Sequence, residues 1–222
     1  IFDELKEKGI NVNKEQILSE FNLINKELWN QAKDYLPEVN KITEKTIVEK
    51  CVLPRIRTSS EKPSEDDLLS WTYLLKCHSY NPNEEIWVID DKGAIRKSSE
   101  VFLSDKYNPI YCLQKYNPPN INFISERYLK LDNDPEGWKN FFENTSMKGY
   151  NRFDYEDYIR NTILPILRNK EEIKDLDASE IINYTRVMVE CKFEPEGPIF
   201  VVLKNGEKEK SDSEIYFPAE YS

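Results

Sequence analysis

Two stretches of this 222-residue chain, LLSWTYLLKCHSYNPNEEIWVIDDKGAIRKSS (68–99) and IINYTRVMVECKFEPEGPIFVVLKNGEKEKSD (181–212), align without a gap, 113 positions apart. Thr72, Pro82, Ile86, Val88, Gly93, Lys97 and Ser98 recur as Thr185, Pro195, Ile199, Val201, Gly206, Lys210 and Ser211. Where identity is lost the character survives, as in Trp71/Tyr184, Leu74/Val187 and Trp87/Phe200. Flanking blocks keep the same order: VLPRIR (52–57) with ILPILR (163–168), and VFLSDKY (101–107) with IYFPAEY (215–221). This is read as a duplication. A period of about 110 residues exceeds that of short solenoid repeats, so each copy should be a small unit with its own elements.

Both copies predict the same α+β order: two helices, a β-hairpin and a following helix. A first helix carries Ile47, Val48 and Val52, or Ile159 and Ile163, toward a Leu-Pro pair, and Pro54 or Pro165 should kink or end it. Acidic caps, SEDD and DASE, then open second helices over 65–77 and 178–191. Next come strands IWVID and IFVVL, a Lys-Gly or Asn-Gly turn in a loop lengthened by polar residues, and return strands VFL and IYF. Only the first copy runs on, through FISERYLKLDNDPEGWKNFF (123–142), where Asp134, Pro135 and Glu136 make a strong helix start.

Near the N-terminus, Trp29 matches Trp138 from a segment 109 positions upstream, and a helix opening at Asn13 puts Ile17, Phe21, Ile24, Leu28 and Tyr35 on one face. The expected organisation is therefore a helical tail of a preceding unit (1–40), a complete unit (41–144) and a second, truncated unit (145–222). The chain starts at Ile1 and not at Met, which suits a piece of a longer polypeptide.

Charge excludes some functions. The net charge is −10, and acids interrupt nearly every Lys/Arg group, as in RNKEEIKD, which disfavours an extended phosphate grip on nucleic acid. No apolar run nears the roughly 20 residues that span a bilayer, and no secretory signal is visible. Cys51, Cys77, Cys112 and Cys191 lack paired spacing, so they read as reduced, mostly buried thiols of a cytoplasmic protein.

Three motifs invite a chemical reading. LDNDPEGWKNFFE (131–143) places Asp132, Asp134, Glu136, Gly137 and Glu143 nearly as in an EF-hand calcium loop. Pro135 and Lys139 fall at the wrong loop positions, and the Trp29 segment lacks the acids, so a plain capped helix start is the preferred reading. VMVECKF (187–193) holds Glu190 and Lys192 which, with Asp177, resemble the metal-binding core of restriction-endonuclease-like nucleases. The first copy has no Glu or Lys in register, and the duplication puts Glu190 near a helix end. His78 is the single histidine and has no partner for acid–base or metal work, so it reads as a helix-end residue. Tyr107, Tyr128, Tyr221, Trp87 and Trp138 read as packing anchors.

The spaced aromatics of VFLSDKYNP, FISERYL and WKNFF, within residues 101–142, resemble segments of large sacsin-like and NO VEIN-like proteins. That resemblance implies an array of α+β units following a histidine-kinase-like ATPase domain of the heat-shock-chaperone type. The nucleotide site would then lie upstream, since the acid–Asn helix and glycine-rich lid of such a pocket have no counterpart here. The combined expectation is a non-catalytic interaction or scaffold module, without cofactor, catalytic residue or metal ligand, that contacts protein partners or other domains of its own chain. The alternative is a metal-dependent nuclease using Asp177, Glu190 and Lys192.

Overall fold

The computed structural model describes residues 2–7, 15, 19, 43–109 and 113–212. The chain is mixed α and β, and its described sheets are two small antiparallel pairs. It divides into two compact units, Ile1–Glu100 with Ile124–Met147, and Val101–Phe123 with Lys148–Ser222. The expected N-terminal helix with Trp29 lies outside the described residues except for Glu15 and Ser19, both helical and exposed. Cys112, Phe217, Tyr221 and the IYF segment lie outside them as well.

The first unit contains α1 (Phe2–Glu7), then α2 (Glu44–Ile47), a π-helical turn (Val48–Val52) and α3 (Leu53–Ile56). Pro54 does not end this helix: it stands in the first turn of α3, directly after the π-helical turn. Proline offers no N–H to the preceding turn and its ring crowds a carbonyl there. The widened turn, closed by the Leu53 N–H on the Val48 carbonyl, lets the helix continue past it.

The central helix α4 (Glu65–Cys77) starts where Ser64 Oγ accepts the Asp67 N–H at 3.2 Å, with three acids in its first turn. It buries Leu68 through Leu75 without a break, as a helix enclosed on every side does. Strands β1 (Trp87–Ile89) and β2 (Ile95–Lys97) pair antiparallel, Val88 opposite Arg96. The return strand is therefore IRK and not VFL. The polar residues taken for loop form a half-exposed strand, and the turn is short, with Gly93 at φ +80°. After the chain returns, α5 (Leu129–Asp132) and α6 (Pro135–Phe142) close the unit. Tyr128, Trp138 and Phe142 are fully buried, with the Trp138 and Phe142 rings stacked 5.5 Å apart.

The second unit runs α7 (Arg152–Tyr158), a π-helical turn (Ile159–Ile163), α8 (Leu164–Arg168), α9 (Lys170–Asp175) and α10 (Ala178–Glu190). Its hairpin pairs β3 (Phe200–Val202) with β4 (Lys208–Lys210), so the return strand is KEK and not IYF. The VFL segment packs here too. The Phe102 N–H donates to the Asn122 carbonyl and the Leu103 N–H to the Lys148 carbonyl. Phe102, Leu113, Ile121 and Phe123 join Tyr155, Ile159 and Leu167 in one core. The packing thus places 101–123 with the second unit, whereas the repeat pattern groups those residues with the first. Unlike α4, helix α10 buries one stripe: Ile181, Tyr184, Val187 and Met188.

Candidate functional site

The acidic loop of the first unit already holds a cation, and it is a lysine. Lys76, near the end of α4, donates through Nζ to Asp132 Oδ2 at 2.5 Å and to Asp134 Oδ2 at 2.8 Å. Asp132 Oδ1 accepts the Trp138 indole N–H at 2.7 Å, and Asp134 Oδ1 caps α6 through the Gly137 N–H at 3.0 Å. The ammonium lies 5.0 Å from the Trp138 ring centre, adding a cation–π contact. Burial works to lower the Lys76 pKa, but hydrogen bonds and charge from the two aspartates outweigh it and hold the pKa above its ordinary value. The hydrogen bond from Lys76, followed by that from Gly137, holds Asp134 below the usual carboxylate range. A calcium ion would have to displace this ammonium, so the preferred reading of a capped helix start fits the geometry. Lys76 itself was missed by sequence reasoning. Its trace was visible as the exchange of Lys76 for Val189 between the two corresponding helices.

The nuclease set is not brought together. Asp177 is the N-cap of α10 and closes a capping box with Glu180, while Glu190 is the last residue of the same helix. A 13-residue helix puts its ends roughly 20 Å apart, far beyond the reach of one metal ion. Glu190 instead accepts the Tyr116 hydroxyl at 2.8 Å and pairs with Lys115 at 3.5 Å. Lys192 sits beyond the helix at φ +52°. Among the described residues no group of three His, Cys, Asp or Glu side chains is placed to hold a metal. His78 is the C-cap of α4. Cys51 and Cys191 are buried and Cys77 is exposed, and none of the three is in a disulfide. Burial pushes the Cys191 thiol up to about 12.

Concavities also occur among the described residues. In the first unit a polar cleft of about 370 Å³ lies between Lys76, Asn81, Asn140 and Asn144. In the second, a groove of about 280 Å³ runs between Ile182, Arg186 and Val189 of α10 and Val201 and Val202 of β3. Val189 is 70% exposed and Ile182 39%. The residues 113 positions earlier, Leu69, Val88 and Ile89, are buried. They belong to the unit that 124–142 closes: Ser125 N–H donates to the Ile89 carbonyl, the Tyr128 hydroxyl accepts the Ile89 N–H, and Tyr73 meets Trp138. Phe200, next to the groove in β3, is buried, and Val202 lines the groove half-buried. No helix among the described residues is long and apolar enough to cross a membrane. Comparison with protein-family models, with curated proteins and with solved structures yields no match to this chain.

Proposed function

We propose that this chain is a tandem-duplicated, non-catalytic interaction or scaffold module of a larger cytoplasmic protein, acting through contacts with protein partners or with other domains of its own chain. The observation that supports the duplication is a set of hydrogen bonds repeated 113 positions apart. Ile86 N–H donates to Ser98 Oγ at 3.2 Å and Ile199 N–H to Ser211 Oγ at 3.1 Å. Gly93 N–H meets the Asp90 carbonyl, and Gly206 N–H meets the Leu203 carbonyl. Thr72 and Thr185 each bond back to the carbonyl four residues earlier. Each copy also carries a π-helical turn immediately before its Leu-Pro pair. Such agreement in side-chain roles favours two versions of one unit over coincidence.

The link to an ATPase of the sacsin-like or NO VEIN-like kind rests on the resemblance of residues 101–142. The scaffold role rests on surfaces: an open groove in one unit and, in both, carboxylates already engaged in caps and ion pairs. Cross-linking mass spectrometry on the intact parent protein tests the reading. Cross-links from α10 and β3 to a protein partner or another domain support it. Metal-dependent DNA cleavage by the isolated chain, lost in Lys192→Ala, would overturn it.

A further inference from the structure

The open groove on α10 has a counterpart whose cover is known, and that cover describes what should fill it. This step rests on the duplication proposed above. In the first unit three ion pairs fasten segment 124–142 to α4: Lys76 with Asp132 and with Asp134, and Glu65 with Arg127. The α4 members correspond, 113 positions on, to Val189 and Ala178 of α10. Asp132 and Arg127 correspond, 109 positions back, to Leu23 and Leu18. No member of these pairs keeps a charge in the second set: four positions turn apolar, and Asp134 is matched by the neutral Asn25. A charged member on one side alone would leave a desolvated charge, so the joint change is what a matched pair of surfaces requires.

Other correspondences agree. Asn25 stands for Asp134, and asparagine, like aspartate, is a residue type favoured at helix N-caps. Trp29 stands for Trp138, and Arg186 takes the place of Tyr73, exchanging an aromatic pair for a cation over an indole. Phe142 is matched by Lys33, so the apolar contact would end a turn earlier. The groove's 280 Å³ admits a large side chain or two, not a whole helix, which suits one inserted indole with leucines laid along the rim.

We propose that the α10–β3 groove of one copy receives residues 18–29 of a second copy, with Trp29 as the inserted side chain. Val189 is 70% exposed in the single chain, which leaves the groove open to another molecule. The contact is heterologous, joining the front of one chain to the back of the next, and it generates head-to-tail chains of copies. The face is small, so the affinity belongs to the weak, transient class.

Sedimentation velocity on the full chain, at concentrations up to roughly 100 µM where such weak contacts populate, provides the test. The wild type is expected to grow in mass with concentration, while Val189→Lys and Trp29→Ala each stay monomeric. An equimolar mixture of the two variants retains one intact tail and one intact groove, so it is expected to form a heterodimer and stop there. A wild type that remains monomeric, association that survives both variants, or a mixture that fails to pair would each overturn the proposal. A groove filled only by a different protein gives that monomeric result. The duplication stands or falls separately, on whether an experimental structure superposes 44–98 on 152–211.

Discussion

Lys76 and Asp132 lie 56 residues apart in the chain, yet their side chains meet at 2.5 Å, with 11% and 18% of each exposed. The pair turns an acidic loop with the look of a calcium site into a clasp between α4 and the segment that closes the first unit. Replacing Lys76 by Met keeps the length of the stem and removes the charge, leaving Asp132 with only its indole donor. The expected cost is about 1–3 kcal/mol, set mainly by the carboxylate left unpaired and reduced by its partial exposure. Urea denaturation of wild type and variant measures it. Wild type should bind calcium no more tightly than the millimolar range by titration calorimetry.

The same clasp sets a pH dependence. Asp134 is held below its ordinary pKa, so its contribution is present above the usual carboxylate range and is lost as pH falls through its lowered value. Lys76 is held above 10.5, so its contribution is complete below that value and is lost as pH rises through the raised one. The stability difference between wild type and Lys76→Met should therefore be flat across neutral pH and shrink at both extremes. A difference that grew toward acid would contradict the assignment of Lys76 as the principal partner.

The helices opened by Ser64, Asp134 and Asp177 were legible because each start rests on local chemistry, a side chain accepting backbone N–H groups a few residues away, whereas the helix Lys170–Asp175 was not foreseen. The return strands were misread because apolar alternation was sought, and a half-exposed edge strand such as IRK or KEK does not need it. VFL reads as a strand by composition. It packs in the second unit because Phe102 lies against Tyr155 at 5.1 Å between ring centres, a partner 53 residues on that no local pattern announces. Lys76 escaped notice for the same reason. A lysine on an apolar helix looks like a solvated edge until the acids that face it are placed.

Gly93 and Gly206 offer a paired test of the duplication. Both lie at positive φ, +80° and +86°, and a Cβ added at either meets nothing within 4 Å. Alanine at each position should thus cost backbone strain alone, about 1 kcal/mol and nearly the same at both sites. Thermal unfolding of the two single variants gives the comparison. Costs differing severalfold would show that the two turns are not equivalent.

Tyr128 is fully buried, and its hydroxyl accepts the Ile89 N–H at 3.0 Å. Tyr128→Phe preserves the ring contacts with Trp138 and Phe142 but leaves a buried β1 donor without this acceptor. The expected loss is about 1–3 kcal/mol, read by urea denaturation. Amide exchange should accelerate at Ile89 before it does elsewhere in β1.

Val189 separates folding from association most cleanly. It sits in the last turn of α10 with 70% of its surface in water, so Val189→Lys removes little burial. Lysine is the better helix former, and its charge complements the C-terminal end of the helix dipole. Against that stands Arg186, three residues earlier on the same face, whose like charge opposes it weakly. These effects nearly cancel, and the single chain should hold its stability to within about 0.5 kcal/mol. Circular dichroism melts at low concentration should accordingly superimpose for wild type and variant. Any change in self-association then belongs to the groove, and a variant that melted several degrees lower would instead place Val189 in the core of its unit.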